Sequence, residues 1–302
     1  MKPVMKKNCN ISVVVPTFKR PKALSNCVSQ ILVQLEAKDE IVIVNDDREA
    51  PAELSSYIRE NKQVNLVNNT GKKGPGSSRN YGVLRAKNEF VVFVDDDDIL
   101  CNGYLTSLKE TLLMHSEAEY GGCAVQIQST QGVSVEYRSR PSEIAQFTKK
   151  PRELLFGSCC GMWFKKSCFI KIGMFNEDLK NSEDNELCAR AVANELNCYK
   201  FKQVWMYVNR AFTNEQANIT STTSNKEKVD CWWNVYNSSK RILPFYSGVR
   251  VILLERFIRR SVRDNFSMFC FTRLLKNTRD LLAPLSFAYY ILLVIKYKLL
   301  RK

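Results

Sequence analysis

The stretch Phe90–Leu100 (FVVFVDDDDIL) constrains the fold of this chain more than any other part of its sequence. It begins with five apolar residues, β-branched or aromatic and without alternation, which is typical of a short strand buried on both faces. Four carboxylates, Asp95 to Asp98, follow directly. Four negative charges at the end of a buried strand require a neutralising partner, because an unpaired charge beside an apolar core is costly.

Strand and helix patterns alternate through the front of the chain. Three further apolar runs predict strands: Ile11–Val15, Ile41–Val44 and Val64–Val67. Helical patterns lie between the runs, at Pro21–Leu35, Pro51–Asn61 and Ser77–Ala86. This alternation predicts an α/β fold, with a mostly parallel, Rossmann-like sheet flanked by helices.

Three polar clusters fall where strands of this sheet end: Pro16-Thr17, Asn45–Asp47 and Asp95–Asp98. In open α/β sheets, ligands bind outside the carboxyl ends of the strands. The sequence therefore predicts one ligand site along this edge of the sheet.

The middle of the chain continues the pattern less regularly. It contains a predicted helix at Tyr104–His115, strands at Ala124–Gln128, Val133–Tyr137 and Gly161–Lys165, a turn at Phe169–Phe175, and a helix at Asn181–Asn197. The last of these helices carries Glu183, Asp184 and Glu186 in its first turn, where carboxylates suit the positive end of the helix dipole.

The positive charge of the chain is concentrated at its end. The formal net charge is +14, and residues 226–302 hold 16 Lys and Arg against 5 Asp and Glu. A basic region of this kind suits either nucleic acid or anionic lipid. We predict two parts: residues 1–220 as the α/β domain, and residues 221–302 as a basic helical region.

The segment Leu281–Ile295 is uncharged and contains Pro284, and basic residues follow it. It is shorter than the roughly 20 apolar residues that a spanning helix needs. A helix lying in the membrane interface fits better, and a tail helix packed on the protein's own core is the alternative.

The 11 cysteines show no paired metal-binding or disulfide spacing, and the chain holds a single His, His115. The basic stretch Met1–Cys9 is not followed by the apolar segment of a secretory signal. We therefore predict a reduced, cytoplasmic protein without a structural zinc site.

The run Asp95–Asp98 has the chemistry of a divalent cation site. Mg²⁺ and Mn²⁺ prefer oxygen ligands, often one or two carboxylates together with substrate phosphates. In an extended backbone, Asp95 and Asp97 point to one side and Asp96 to the other. The alternative is a solvated acidic turn without a metal.

Five segments, in this order and spacing, resemble family 2 glycosyltransferases: Ile11–Arg20, Glu40–Asp47, Gly76–Asn88, Phe90–Leu100 and Gly173–Arg190. The resemblance covers about residues 10–215. It implies a GT-A fold, an inverting transfer that depends on Mn²⁺ or Mg²⁺, and a nucleotide-sugar donor. It extends to bacterial enzymes that make surface polysaccharides such as O-antigen and capsule.

The resemblance also implies roles for individual residues in the donor site. The nucleotide-sugar would contact Pro16, Thr17, Arg20, Asn45, Asp46, Arg79, Asp95 and Asp96. Asp97, together with Asp95, would hold the metal as a DXD motif. The loop Gly71–Gly76 would close over the donor, with Lys72 and Lys73 near phosphate.

The chain departs from the family pattern at two places. Asn45-Asp46-Asp47 replaces two Asp followed by Gly, and Tyr207–Thr220 lacks the His that members often carry there. The first difference concerns the identity of the base, and the second concerns a third protein ligand to the metal.

The resemblance makes Asp184 the candidate general base, which would accept the proton of an acceptor hydroxyl. Glu183 and Trp163 are candidate contacts to the acceptor. Without the resemblance, an acid at a helix start is more often a simple dipole partner, and a Trp is more often a core residue.

These observations together predict a hexosyltransferase-type enzyme (EC 2.4) that uses a UDP-sugar and a saccharide acceptor, most naturally a lipid-linked one. The basic end would hold it on the anionic inner face of the cell membrane as a peripheral protein. Alternatives are a nucleotidyltransferase that makes a sugar nucleotide, disfavoured because Pro16–Arg20 contains no Gly, and an inactive homologue that only binds. A nucleic-acid binder is disfavoured because Asp95–Asp98 would repel phosphate.

Overall fold

Four parallel strands form one half of the central sheet. The computed structural model describes residues 9–129, 136–137, 145–210, 223–277, 280 and 282–299. The four strands are β1 (Ile11–Thr17), β2 (Glu40–Asn45), β3 (Val64–Asn68) and β4 (Phe90–Phe93). They lie in the order β3-β2-β1-β4 and pair in parallel. This half confirms the sheet that the apolar runs predict.

The other half of the sheet is mixed. Its strands are β5 (Ile99–Leu100), β6 (Tyr120–Ser129), β7 (Glu136–Tyr137), β8 (Ala145–Phe147), β9 (Trp163–Lys165) and β10 (Cys198–Arg210). Strand β9 pairs antiparallel with β4 and β6, and β10 then pairs in parallel with β6. Antiparallel β9 therefore continues the sheet beyond β4.

The front and middle helices are α1 (Pro21–Leu32), α2 (Ser56–Arg59), α3 (Pro75–Arg85), α4 (Tyr104–Met114), α5 (Lys166–Lys171) and α6 (Glu183–Ala193). Those at the end are α7 (Asn225–Ile242), α8 (Gly248–Arg263), α9 (Ser267–Lys276) and α10 (Ala283–Leu299). Apolar side chains from α1, α3 and α4 cover both faces of the sheet. The predicted α/β fold with a helical C-terminal extension is thus confirmed.

Three local predictions differ from the structure or lie beyond it. The helix predicted at Pro51–Asn61 is only α2, because Asn45 on β2 holds the Ala50 carbonyl and keeps the start of this segment in a loop. The predicted turn at Phe169–Phe175 begins as α5, which buried Phe169 anchors, and the turn starts only near Gly173 at φ +91°. The predicted strand Val133–Tyr137 lies outside the described residues except for β7.

The C-terminal helices share their apolar core with the sheet. One cluster of buried side chains includes Phe93 of β4, Leu187 of α6, Trp233 of α7 and Phe257 of α8. The division at residue 220 stays a prediction. In the part of the chain that the structure describes, no helix is both long and apolar enough to cross a membrane.

Asp280 is a buried charge that ties these helices together. Its carboxylate accepts a hydrogen bond from the Tyr236 hydroxyl of α7 and forms an ion pair of 2.7 Å with Arg250 of α8. Burial opposes ionisation of Asp280, but the hydrogen bonds from Tyr236 and Arg250 lower its pKa to about 2. Arg250 is itself buried, so loss of Asp280 would leave a buried cation without its partner.

We predict that Asp280→Asn lowers the free energy of unfolding by about 3 kcal/mol at neutral pH, because breaking a buried ion pair strands one charge. The pKa of Asp280 in the folded protein lies below that of an unfolded chain, near 3.9. Its contribution is therefore present above about pH 4 and is lost as the pH falls towards about 2.

Urea denaturation of the wild type and the variant between pH 7 and pH 3 measures this difference. The control is Asp178→Asn, whose carboxylate is fully exposed and whose removal should leave stability nearly unchanged. A pH-independent difference between the wild type and Asp280→Asn would contradict the prediction.

Candidate active site

The ends of β1 and β4 bring two of the predicted polar clusters into direct contact. The Thr17 hydroxyl donates to Asp96 Oδ2 at 2.7 Å. Arg20, at the start of α1, donates from Nη1 to Asp96 at 3.0 Å and to Asp97 at 2.7 Å. Because β1 and β4 are neighbours in the sheet, their carboxyl ends meet, as the alternating pattern predicts.

Arg79 neutralises the remaining side of the acidic run. Helix α3 buries this side chain, which donates from Nη2 to Asp95 at 2.5 Å and from Nη1 to Glu183 at 3.0 Å. Burial opposes ionisation of Asp95, but Arg79 holds its pKa below the usual range. Burial and the neighbouring Asp184 raise the pKa of Glu183. Arg79 thus joins the end of β4 to the first turn of α6.

Asp97 and Asp98 lie in different surroundings. Burial and the charge of Asp95 raise the pKa of Asp97 to about 6, although Arg20 opposes the shift. Asp98 is buried and accepts a hydrogen bond from the Cys160 thiol. Burial, followed by the charges of Asp95 and Asp98, raises the pKa of that thiol well above its ordinary value.

The donor atoms of this cluster allow the fit of a divalent cation to be judged. One ligand atom each from Asp95, Asp98 and Cys160 lies within 4.8 Å of the others. Carboxylate oxygens suit Mg²⁺ or Mn²⁺, whereas a protonated thiol does not. The carboxylates therefore fit the expected metal, and the structure adds Asp98 as a candidate ligand beside Asp95. This group does not include Asp97, whose role as a ligand stays a prediction. The segment after β10 that lacks a His lies, from residue 211 to 222, outside the described residues.

Asn45 and Asp46 are buried and already have protein partners. Asn45 Nδ2 donates to the carbonyls of Asp47 and Ala50, and Asn45 Oδ1 accepts from the Asp47 amide. Asp46 accepts from Asn69, Ser78 and the Gly74 amide. In this structure both side chains shape the loops after β2 and β3. Their contact with a nucleotide stays a prediction and would require an exchange of these hydrogen bonds.

The loop Gly71–Gly76 reaches two other parts of the site. Lys72 forms an exposed ion pair of 2.6 Å with Asp178, which lies shortly before α6. Lys73 lies over the ring of Phe18 at 4.4 Å from its centroid. Beside this loop, a cleft of about 450 Å³ is lined by residues 47–51 and 68–70.

Sequence reasoning missed three residues of this region. Asn69 and Ser78 hold Asp46, and Phe18 is half-exposed at the end of β1. The signals were present, because Phe18 directly follows Pro16-Thr17 and Asn69 lies two residues beyond the third predicted strand, Val64–Val67.

Asp184 lies in the first turn of α6, which follows Ser182 at φ +62°. Asp184 is buried, and its Oδ1 accepts from the backbone amide and from the side-chain amide of Asn185, both at 2.7 Å. Arg256 of α8 donates to Asn185 Oδ1. Glu183, its neighbour, binds Arg79 as described above, so the chain of contacts from Asp95 through Arg79 to Glu183 ends beside Asp184.

The assignment of Trp163 to an acceptor contact is wrong. Its side chain, on β9, has no exposed surface and packs edge-on against Phe90 at a centroid distance of 6.3 Å. Strand β9 lies between β4 and β6, and the side chain of Trp163 is completely covered by its neighbours, so an acceptor cannot contact it.

Comparison with known proteins identifies the family and the fold. A family model described as glycosyl transferase family 2 matches residues 12–173, more than half of the chain. The chain is 27% identical over 209 residues to the GalNAc(5)-diNAcBac-PP-undecaprenol β-1,3-glucosyltransferase of Campylobacter jejuni, covering 67% of this chain and 63% of that relative. It is 26% identical over 188 residues to the minor teichoic acid biosynthesis protein GgaB of Bacillus subtilis, covering 60% of this chain and 21% of GgaB.

Among solved structures, residues 1–349 of TarS from S. aureus in complex with UDP-GlcNAc match with a TM-score of 0.66 and 19% identity. The match covers 86% of this chain and 75% of that one. This likeness shows the GT-A fold. The chain spans less than two thirds of the length of the Campylobacter relative.

We predict that Arg79→Ala lowers the free energy of unfolding by about 3 kcal/mol, because it leaves buried Glu183 and partly buried Asp95 without their common cation. The measurement is chemical denaturation at neutral pH. Lys72→Ala is the control: it removes the exposed pair with Asp178 and should change stability little. Equal stability of the two variants would show that Arg79 does not hold β4 and α6 together.

Proposed function

The chain belongs to glycosyl transferase family 2 and is a glycosyltransferase, and we propose that it transfers a hexose with inversion from a UDP-sugar to a hydroxyl of a saccharide. The observation that carries this proposal is the contact from Asp95 through Arg79 to Glu183. It joins a donor-side carboxylate cluster to a helix whose first turn offers a separate carboxylate, Asp184. Membership of this family excludes the nucleotidyltransferase alternative.

The donor would lie at the carboxyl ends of β1, β2 and β4. We propose that Pro16, Thr17 and Arg20 line the nucleotide pocket, and that Arg79 and Asp95 lie beside the diphosphate and ribose. A UDP-sugar is proposed because TarS, which shares the fold, has been solved with UDP-GlcNAc and with UDP.

We propose Mn²⁺ or Mg²⁺ as the cofactor, held by Asp95 and Asp97, with Asp98 as the other possible ligand. When bound, such a cation stabilises the negative charge of a leaving diphosphate. Arg20 now occupies one oxygen of Asp97. The Arg20 side chain would therefore share the Asp97 carboxylate with the cation, or it would turn towards a substrate phosphate. Either partner of Arg20, the carboxylate or the phosphate, is anionic.

Asp184 is the proposed general base. Inversion requires that the acceptor hydroxyl attack the anomeric carbon from the face opposite the diphosphate, so the base must lie across the pocket from Asp95–Asp98. Asn185, itself held by Arg256, fixes one oxygen of Asp184. Glu183 is committed to Arg79, so its proposed role is to position α6, with an acceptor contact as the alternative.

The proposed acceptor is a lipid-linked saccharide in the synthesis of a bacterial surface polysaccharide, on the inner face of the cell membrane. The name of the Campylobacter relative describes a saccharide on undecaprenyl diphosphate. The basic residues of the C-terminal region favour an anionic membrane surface over a neutral one.

We predict that UDP binds the purified chain with Mn²⁺ and binds at least tenfold more weakly with EDTA, as measured by calorimetric titration. Asp97→Ala should abolish the effect of Mn²⁺, because it removes a ligand. Asp98→Ala is the matched variant: if it abolishes the effect while Asp97→Ala does not, then Asp98 is the second ligand. Absence of UDP binding under all conditions would contradict the UDP donor.

We predict that Asp184→Asn slows turnover on the order of 10²–10⁴-fold while UDP affinity is retained, since a general base contributes about that much. Release of UDP from the UDP-sugars of glucose, galactose and their N-acetylamino forms, with an added lipid-linked saccharide as the acceptor of the sugar, identifies the donor and measures the rate. The control is Glu110→Gln, because Glu110 is an exposed residue on α4. Full activity of Asp184→Asn would remove Asp184 from the mechanism, and a wild type that binds UDP but turns over no sugar would indicate an inactive homologue.

A further inference from the structure

The last helix, α10, carries an apolar face that nothing in the described part of the chain covers. Its exposed fractions are 69% for Leu285, 54% for Ile291, 64% for Leu292 and 52% for Ile295. These positions, together with Ala288, repeat at intervals of three and four and therefore lie on one side of the helix. The sequence has no charged residue between Ala283 and Ile295, whereas a water-facing helix surface usually carries charges.

The opposite face of α10 is held on the protein. Ser286 and Leu293 are buried. The Tyr290 hydroxyl donates to the Ser267 carbonyl of α9 at 3.1 Å, and the Tyr289 hydroxyl donates to Glu255 of α8 at 3.3 Å. The helix cannot leave this position without exposing its inner face. Its 17 residues span only about 25 Å, which is too short to cross a membrane. On a membrane it would therefore lie along the surface.

Helix α9 carries two further exposed apolar residues. Met268 and Leu275 are exposed and seven residues apart, which places them on the same side of α9. Helix α9 packs against α10, since the ring of Phe271 lies 6.0 Å from the rings of Phe287 and Tyr290. We use "the outer face" below for the exposed residues Leu285, Ile291, Leu292 and Ile295 of α10.

The charged residues in the sequence after residue 264 are almost all basic. They are Arg273, Lys276, Arg279, Lys296, Lys298, Arg301 and Lys302, and Asp280 is the one acid. Asp280 is buried and pairs with Arg250, whereas Lys276 and Lys296 are exposed. Just before α10, a cleft of about 410 Å³ is lined in part by Lys240, Arg250 and Lys276.

We infer that the outer face docks on a bilayer of anionic phospholipid, with α10 parallel to the membrane plane. Leu285, Ile291, Leu292 and Ile295 enter the boundary between headgroups and acyl chains, and Lys276 and Lys296 contact lipid phosphates. Apolar burial and attraction to anionic lipid then act together, which is the physical basis of interfacial helices. The inference rests on the proposed function only in that a lipid-linked acceptor explains why an enzyme of this kind would lie there.

The test is sedimentation of the full chain with vesicles of phosphatidylcholine alone or mixed with phosphatidylglycerol. The double variant Leu292→Gln, Ile295→Gln should lose binding to mixed vesicles by tenfold or more. The matched control is Leu113→Gln, Met114→Gln on α4, two exposed apolar residues far along the chain from α10, which should bind as the wild type does. Lys276→Gln, Lys296→Gln should reduce the preference for phosphatidylglycerol and weaken the dependence of binding on salt.

Circular dichroism melting and UDP titration of each variant separate this inference from misfolding and from failure of the proposed function. Retained UDP affinity with lost vesicle binding supports the inference, whereas vesicle binding without UDP affinity supports the outer face and counts against the donor site. Equal vesicle binding by the wild type and Leu292→Gln, Ile295→Gln would overturn the inference. The inference would also be overturned if the wild type were dimeric and did not bind vesicles, while the double variant were monomeric. The outer face would then join two copies of the chain.

Discussion

The buried guanidinium of Arg79 is the interaction on which the geometry of the site depends. It lies between Asp95, at the end of β4, and Glu183, at the start of α6. These carboxylates are far apart in the chain, and each would be costly to bury alone. A planar, permanently charged side chain with two donating arms can bind both at once, which a lysine cannot do in the same way. Arg79 thus links the acidic run after β4 to the helix turn that carries the proposed base.

Three of the four carboxylates after β4 are paired with arginine side chains. Arg79 binds Asp95, Arg20 binds Asp96 and Asp97, and Thr17 adds a hydroxyl to Asp96. Both arginines lie at the proposed diphosphate site, so substrate phosphates and protein carboxylates would compete for the same guanidinium groups.

Much of the fold followed from local sequence patterns, because short apolar runs between helical segments leave few topologies for a sheet. The positions of Thr17, Asn45 and Asp95 at strand ends followed in the same way. What the sequence could not provide was the contacts of each side chain. Asn45 hydrogen-bonds to the loop that follows it, and Trp163 is buried because its strand, β9, inserts between β4 and β6. Both outcomes depend on contacts between segments distant in the chain. The pairing of Arg79 with Glu183 has the same origin, since the sequence around either residue does not indicate the other as its partner.

The sequence left two alternatives for the last helix, packing on the protein or lying at a membrane interface, and the structure indicates why they need not compete. Helix α10 packs with one face on α8, and its other face is exposed and apolar. Helix α8 also carries Arg256, whose contact with Asn185 fixes the residue beside Asp184. The same helix therefore supports both the outer face and the first turn of α6. A surface bound through α10 would hold α6, and with it the proposed base, at a fixed height above the lipid, which is the geometry that an acceptor anchored in that lipid requires.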